Sequence, residues 1–264
     1  MSDPTVIPVA NLKEKPYSTV LCYPRANEAE LQARIAELQK HGVKALEFSG
    51  KTSVFNVPVL GKGFVGVAVV AHLNGQRAAL KIRRVDADRA GLQHEAVMLA
   101  KANSVNVGPT LISASTNFLL MQFIDGDLLP NWLETHTDKN KEGVRSILRK
   151  IIEQCWRLDE TGLDHGELSK APKHVIVNTE QEPFIIDFET ASVNRKTANV
   201  TAICQYLFAS NSAVAHMTAE TLGEKNLEKL VEALRLYKQS RTRGNFERVL
   251  QICFAETRIK ELEN

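Results

Sequence analysis

Three clusters in this chain have residue types and spacing suited to chemistry. Gly61-Lys62-Gly63-Phe64-Val65-Gly66 is a G-x-G-x-x-G loop, Lys81 closes the apolar stretch Ala78-Ala79-Leu80, and Asp187 closes the apolar stretch Phe184-Ile185-Ile186. A dinucleotide-binding loop needs a helix straight after the glycines and an acid about 20 residues on. Here the glycines run into a branched, apolar segment that turns at Asn74-Gly75, so the context excludes that use. A Walker A loop fails as well, because Ser49-Gly50-Lys51-Thr52 would need its leading glycine where Ala45 stands. What remains is a strand–loop–strand flap whose backbone amides cover nucleotide phosphates. The bland alternative is a glycine-rich hairpin that binds nothing.

Lys81 follows Gly66 by fifteen residues, and Glu95 follows Lys81 by fourteen. A lysine in an apolar strand is costly unless it is paired or ligand-bound. A glutamate on the helix that follows can pair with it and aim the ammonium at phosphates. The competing reading makes Lys81 the start of a solvated run, Lys81-Ile82-Arg83-Arg84. In the second half, the polar loop Leu163-Asp164-His165-Gly166-Glu167-Leu168-Ser169 leads into a hairpin that ends in Asp187. A bare carboxylate closing an apolar strand is expensive, and Mg²⁺ coordination would account for it. The plain alternative is a carboxylate that emerges into solvent.

The elements that must position these residues read as follows. Residues 1–16 carry Pro4, Pro8 and Pro16 and read as a loose tail. Tyr17 to Tyr23 reads as a strand, a helix starts after Asn27 and stops at Gly42, and Val43 to Phe48 reads as another strand. From Val54 to Arg84 the chain is strand-like, with a hairpin at Asn74-Gly75. Asp88 to Ala102 reads as a helix, and short strands follow at Thr110–Ala114 and Phe118–Phe123. Beyond Gly126 long amphipathic helices dominate, with apolar positions at helical spacing from Val144 to Leu158, Leu227 to Tyr237 and Phe246 to Phe254. The expected fold is α+β and two-lobed. The expected parts are a small N-terminal αβ extension (1–56), a strand-rich N-lobe (57–125) and a helical C-lobe (126–264).

Composition agrees with a globular chain. Its 264 residues carry 33 Lys+Arg against 31 Asp+Glu, a net charge of +2, and 44% are hydrophobic. That balance argues against a nucleic-acid coat, and the short basic runs Lys81–Arg84 and Arg241–Arg243 read as solvated faces. No apolar stretch approaches the roughly 18 residues that cross a bilayer, and the N-terminus has no apolar h-region. Cys22, Cys155, Cys204 and Cys253 lie far apart with no C-x-x-C pair, and read as reduced, mostly buried thiols of a cytoplasmic protein.

Taken in order, the motifs from about Val59 to Phe208 resemble the protein-kinase-like fold. Gly61, Gly63 and Gly66 resemble the glycine-rich loop. Ala79-Leu80-Lys81 resembles the VAIK strand, with Glu95 as its helix partner. Met121-Gln122-Phe123-Ile124 resembles the hinge, where backbone groups of Gln122 and Ile124 would bind adenine. His165-Gly166-Glu167-Leu168-Ser169 resembles an HGDLS variant of the catalytic loop, and Asp187-Phe188-Glu189 the metal-binding DFG. There are departures. The catalytic aspartate is replaced by Glu167, the second metal ligand falls at His174, and Glu189 replaces the last glycine. No Ala-Pro-Glu segment follows, and the stretch from Asp187 to the helix near Ala202 is short. The chain is therefore more similar to small atypical kinases (Rio-type and relatives) or aminoglycoside-phosphotransferase-like enzymes.

The resemblance implies phosphoryl transfer from ATP with Mg²⁺ or Mn²⁺. Lys81 would hold the α- and β-phosphates and Glu95 would orient it. Asp187, with His174 near it, would bind the metal. Glu167 would orient or deprotonate an acceptor hydroxyl, and Lys170 would neutralise the transferring phosphate. His165 reads as a structural histidine bonded to backbone. Asp164 reads as a surface acid and as a second candidate carboxylate beside Glu167. Three readings stay open: a compact protein serine/threonine kinase, a small-molecule kinase whose acceptor pocket would come from two helices in 217–262, and a nucleotide-binding pseudokinase scaffold.

Overall fold

The computed structural model describes residues 4–88, 90–136 and 140–255. The architecture is α+β, strand-rich in the N-terminal region and helical in the C-terminal part. The chain divides into two compact units, Met1–Asn103 with Pro109–Ile124, and Ser104–Gly108 with Asp125–Asn264.

The first unit contains β1 (Thr5–Pro8), α1 (Tyr17–Leu21), α2 (Glu28–Lys40), β2 (Val43–Phe48), β3 (Thr52–Val54) and β4 (Val57–Val59). These are followed by β5 (Gly61–Lys62), β6 (Gly66–Leu73), β7 (Gln76–Arg83), α3 (Ala90–Asn103), β8 (Leu111–Ala114) and β9 (Phe118–Gln122). The main sheet runs β1-β2-β6-β7-β9-β8, with β5 on β6, and β3 pairs with β4 separately. Asn74 and Gly75, both at positive φ, make the two-residue turn that sets the β6–β7 register, from Leu73↔Gln76 to Gly66↔Arg83. β7 lies between β6 and β9, which is why Ala78, Leu80 and Ile82 are all buried.

Two expectations fail here. The supposed loose tail holds β1, which pairs with β2 from Thr5↔Phe48 to Pro8↔Ala45. Proline is tolerated there because β1 is the edge strand and Pro8 is its last residue. Tyr17 to Tyr23 is not a strand. Ser18, Val20 and Leu21 turn inward on a single short helix that Pro16 precedes.

The second unit contains β10 (Gly126–Leu128), α4 (Leu129–His136), α5 (Lys141–Glu160), β11 (Val175–Asn178) and β12 (Pro183–Ile185). After these come α6 (Asn199–Cys204), α7 (Ala213–Leu222), α8 (Leu227–Gln239) and α9 (Arg243–Phe254). Asn140 caps α5 by accepting from the Gly143 amide. α5 buries Val144, Ile147, Leu148, Ile151, Ile152, Cys155 and Leu158 on one stripe. Trp156 stacks on Phe246 of α9 with ring centroids 4.7 Å apart. α8 and α9 occupy most of 217–262, and residues 256–262 lie outside the described residues. No described helix is long and apolar enough to cross a membrane. All four cysteines are buried and unpaired.

The first unit is organised around a buried cation. Arg34 of α2 is fully buried. Its Nε donates to Glu30 Oε1 at 2.7 Å, Nη1 to the carbonyls of Leu21 at 2.8 Å and Arg83 at 2.5 Å, and Nη2 to Asn117 Oδ1 at 3.2 Å. Asn117 Oδ1 also accepts from Arg83 Nη2 at 2.8 Å, and its Nδ2 donates to Glu37 Oε2 at 2.7 Å. One guanidinium therefore ties α1, α2, β7 and the turn before β9 together. Arg83, expected on a solvated face, is buried in this network. Arg34→Met would strand two carbonyls and a carboxylate, so we expect a loss of about 3–5 kcal/mol in urea unfolding. Arg149→Met, at an exposed position on α5, should change stability by less than about 0.5 kcal/mol.

Candidate active site

In the first unit Lys81 sits in β7 opposite Ala68 of β6 and Leu119 of β9. Its Nζ lies 2.7 Å from Oε2 of Glu95 on α3, with the two side chains 12% and 3% exposed. A pair held this far from water is costly to assemble and costlier to break, so sheet stability alone gives little reason for it.

The glycine loop joins β5 to β6, with the Gly63 amide donating to the Gly66 carbonyl at 2.8 Å. Gly66 is required by packing, since a Cβ there would stand 2.6 Å from the Ile82 carbonyl oxygen. Gly61 and Gly63 are not: a Cβ would meet nothing within 4 Å at Gly61 and only the Gly66 carbonyl at 3.9 Å at Gly63. Both also have ordinary φ. Their missing side chains leave open space over the loop, as a phosphate cradle requires. Phe64 stands at its tip, 91% exposed. Gln122 ends β9 with its amide donating to the Thr110 carbonyl at 2.8 Å, so that amide is already engaged, and Ile124 is buried.

In the second unit the loop after α5 and the segment after β12 meet. Asp187 follows β12 by two residues and adopts a left-handed conformation, φ 67°. An aspartate tolerates this better than most residues, and such strain concentrates at functional sites. Glu167, His174 and Asp187 each offer a ligand atom within 4.8 Å of the others. His174 lies between the two acids, with Nε2 3.5 Å from Glu167 Oε2 and Nδ1 3.8 Å from Asp187 Oδ2. Lys170, in the 3₁₀ turn Leu168–Lys170, is exposed.

This donor set fits a divalent cation. Two carboxylate oxygens suit Mg²⁺, while an imidazole beside them is better matched to Mn²⁺. The buried Nδ1 of His174 has no hydrogen-bond partner among the described residues, as expected of a nitrogen kept for a ligand.

The supporting groups are less visible in the sequence. His165 is fully buried, donates from Nε2 to the Ile186 carbonyl at 3.0 Å, and meets Phe188 edge-on at 5.1 Å. It is a structural histidine, bonded to backbone as expected. Asp164 is not a surface acid. It is buried, accepts from Arg195 Nε at 2.9 Å and from the Ala198 amide at 2.9 Å, and bridges Ser192 through backbone bonds. Those bonds engage both its oxygens in holding the loop and the segment before α6 together. Asp159, Thr190, Arg195 and Asn199 were not singled out by the sequence. Nothing in their spacing marks them, because most of their partners lie 25 to 78 residues away.

Burial pushes the His165 imidazole down to about 4. The unfolded chain then binds a proton below about pH 6.5 that the folded chain refuses until about pH 4. Stability should fall as pH drops through that window, by about 3 kcal/mol in full. In His165→Gln, urea midpoints at pH 7 and pH 4.5 should lie closer together than in wild type. An equal pH dependence in the two proteins would contradict the assignment.

The sequence profile of the RIO domain matches residues 70–202, which is 133 of 264 residues and so just over half the chain. An uncharacterized protein of Methanocaldococcus jannaschii is 30% identical over 89 residues, covering 33% of this chain and 72% of that protein. The matched segment contains Lys81, Glu95, Glu167, His174 and Asp187. The fold agrees with the same assignment, and the chain belongs to the RIO-domain family of atypical kinase-like, ATP-binding phosphotransferases.

Proposed function

We propose that this protein transfers the γ-phosphoryl group of ATP to a serine or threonine hydroxyl of a protein acceptor, in the cytoplasm. The observation that carries the reading is the gathering of Glu167, His174 and Asp187 in one place. It sets a carboxylate able to act on a hydroxyl beside a carboxylate able to bind a metal.

In this reading Lys81, held by Glu95, binds the α- and β-phosphates, and the backbone over Gly61 and Gly63 covers them. The segment from Gln122 to Ile124 receives the adenine. Asp187 and His174 would hold the divalent cation, Mg²⁺ or Mn²⁺, which would supply positive charge to neutralise the phosphates. Glu167 accepts the proton of the acceptor hydroxyl as its oxygen bonds to the γ-phosphorus and the bond to ADP breaks. Lys170 lies close in sequence to balance the transferred charge. The free, buried cysteines suit a reducing compartment.

A protein acceptor is favoured over a small cationic alcohol by the C-terminal helices. α8 and α9 direct Leu230, Ala233, Tyr237, Phe246, Val249, Leu250 and Cys253 into the core.

The test is label transfer from γ-labelled ATP to a mixture of unstructured serine- and threonine-containing peptides, with Mg²⁺ or Mn²⁺. Wild type should yield phosphoserine or phosphothreonine. Glu167→Gln should lower kcat by about 10²–10⁴-fold. Gly63→Ala should raise KM for ATP while leaving the unfolding midpoint unchanged, since its Cβ meets no packed neighbour. Label appearing only on small alcohols would replace the acceptor class. ATP binding with no transfer to any acceptor would make the protein a nucleotide-binding scaffold.

A further inference from the structure

Arg195 lies outside the motifs discussed above, yet it joins the loop that carries Glu167 to the segment that follows Asp187. Its Nε donates to Asp164 Oδ2 at 2.9 Å, and its Nη2 donates to the Thr190 carbonyl at 2.8 Å and the Asp164 carbonyl at 3.4 Å. Thr190 closes the circuit by donating from Oγ1 to the His165 carbonyl at 3.0 Å. The guanidinium also covers Gly166. That residue has φ 92°, and a Cβ there would stand 2.5 Å from Arg195 Nη2 and 3.1 Å from Thr190 Oγ1. Gly166 immediately precedes Glu167, and Thr190 follows Asp187 by three residues.

Stability does not account for this arrangement. The Arg195 side chain is 47% exposed, so its end of the pair opens to water and its contribution to folding is modest, while the buried Asp164 keeps the Ala198 amide as a second donor. A planar fork that reaches a carboxylate and two carbonyls at once does fix the relative positions of two loops, as a lysine could not. We propose that Arg195 is a positioning residue for phosphoryl transfer, a latch that sets the separation of Glu167 from Asp187 and His174. This inference rests on the reading of those residues as the reacting half of a phosphotransfer site.

A latch predicts an effect on turnover without a matching effect on folding or nucleotide binding. Arg195→Ala should unfold within about 3 °C of wild type and keep KM for ATP within about twofold, while kcat falls about 10- to 100-fold. Arg195→Lys should recover little of the loss. About 20 mM guanidinium chloride, far below denaturing concentrations, should restore several-fold of the lost kcat in Arg195→Ala and none in Glu167→Gln. A kcat within twofold of wild type, or a loss of kcat that tracks a loss of folded protein, would overturn the latch. If wild type shows no turnover, the phosphotransfer reading fails by itself. The latch is then judged by amide hydrogen exchange: faster exchange at Gly166 and Glu167 in Arg195→Ala supports it, and unchanged exchange overturns it.

Discussion

Asp159 is buried near the end of α5 and accepts hydrogen bonds from the Asn199 amide at 3.0 Å, Asn199 Nδ2 at 2.8 Å, the Val200 amide at 3.3 Å and the Tyr237 hydroxyl at 2.8 Å. A carboxylate in such surroundings is tolerable only when its oxygens are satisfied, so α5, α6 and α8 have to converge on it. Asn199 passes the constraint on. Its Oδ1 accepts from the His165 amide at 2.8 Å, and its Nδ2 also donates to the Leu163 carbonyl at 2.7 Å. The helical core thereby fixes the backbone on which Glu167 is carried. Burial, and then proximity to Asp159, raise the Tyr237 hydroxyl well above its ordinary value, which keeps it a donor.

The same physics recurs in the first unit with the sign reversed. Arg34 is the buried ion there, and the groups that satisfy it come from α1, α2, β7 and the turn before β9. Lys81 and Glu95 form a second nearly buried pair in that unit, which crosses from sheet to helix with Nζ 2.7 Å from the carboxylate. In each unit, buried charge is neutralised by groups drawn from several elements, and this holds those elements together.

Much of this was legible in the sequence, and the reasons are local. Asn74-Gly75 demands a hairpin, Asn27 caps a helix, and a lysine inside an apolar strand asks for an acid, which Glu95 supplies at the right distance along the chain. The illegible parts depend on distant partners. Asp164 looked like a surface acid because charged residues usually are. Its oxygens are met by the Arg195 guanidinium and the Ala198 amide, thirty-one and thirty-four positions later. β1 carries almost no periodic signal because it is a four-residue edge strand with a proline before it and another at its end, and it is held by pairing with β2 and by Ile7 packing on the core. The left-handed conformation of Asp187 is likewise imposed by its surroundings and invisible in residue type.

The central proposal is that Lys81 binds nucleotide phosphates and that Asp187 binds a divalent cation. Calorimetric titration of ATP with and without Mg²⁺ into wild type, Lys81→Ala and Asp187→Asn tests this most directly. The account predicts that Lys81→Ala weakens binding under both conditions, while Asp187→Asn abolishes the gain from Mg²⁺ and leaves metal-free binding near wild type. Wild-type protein that binds no ATP, or an Asp187→Asn variant that keeps the full gain from Mg²⁺, would contradict it.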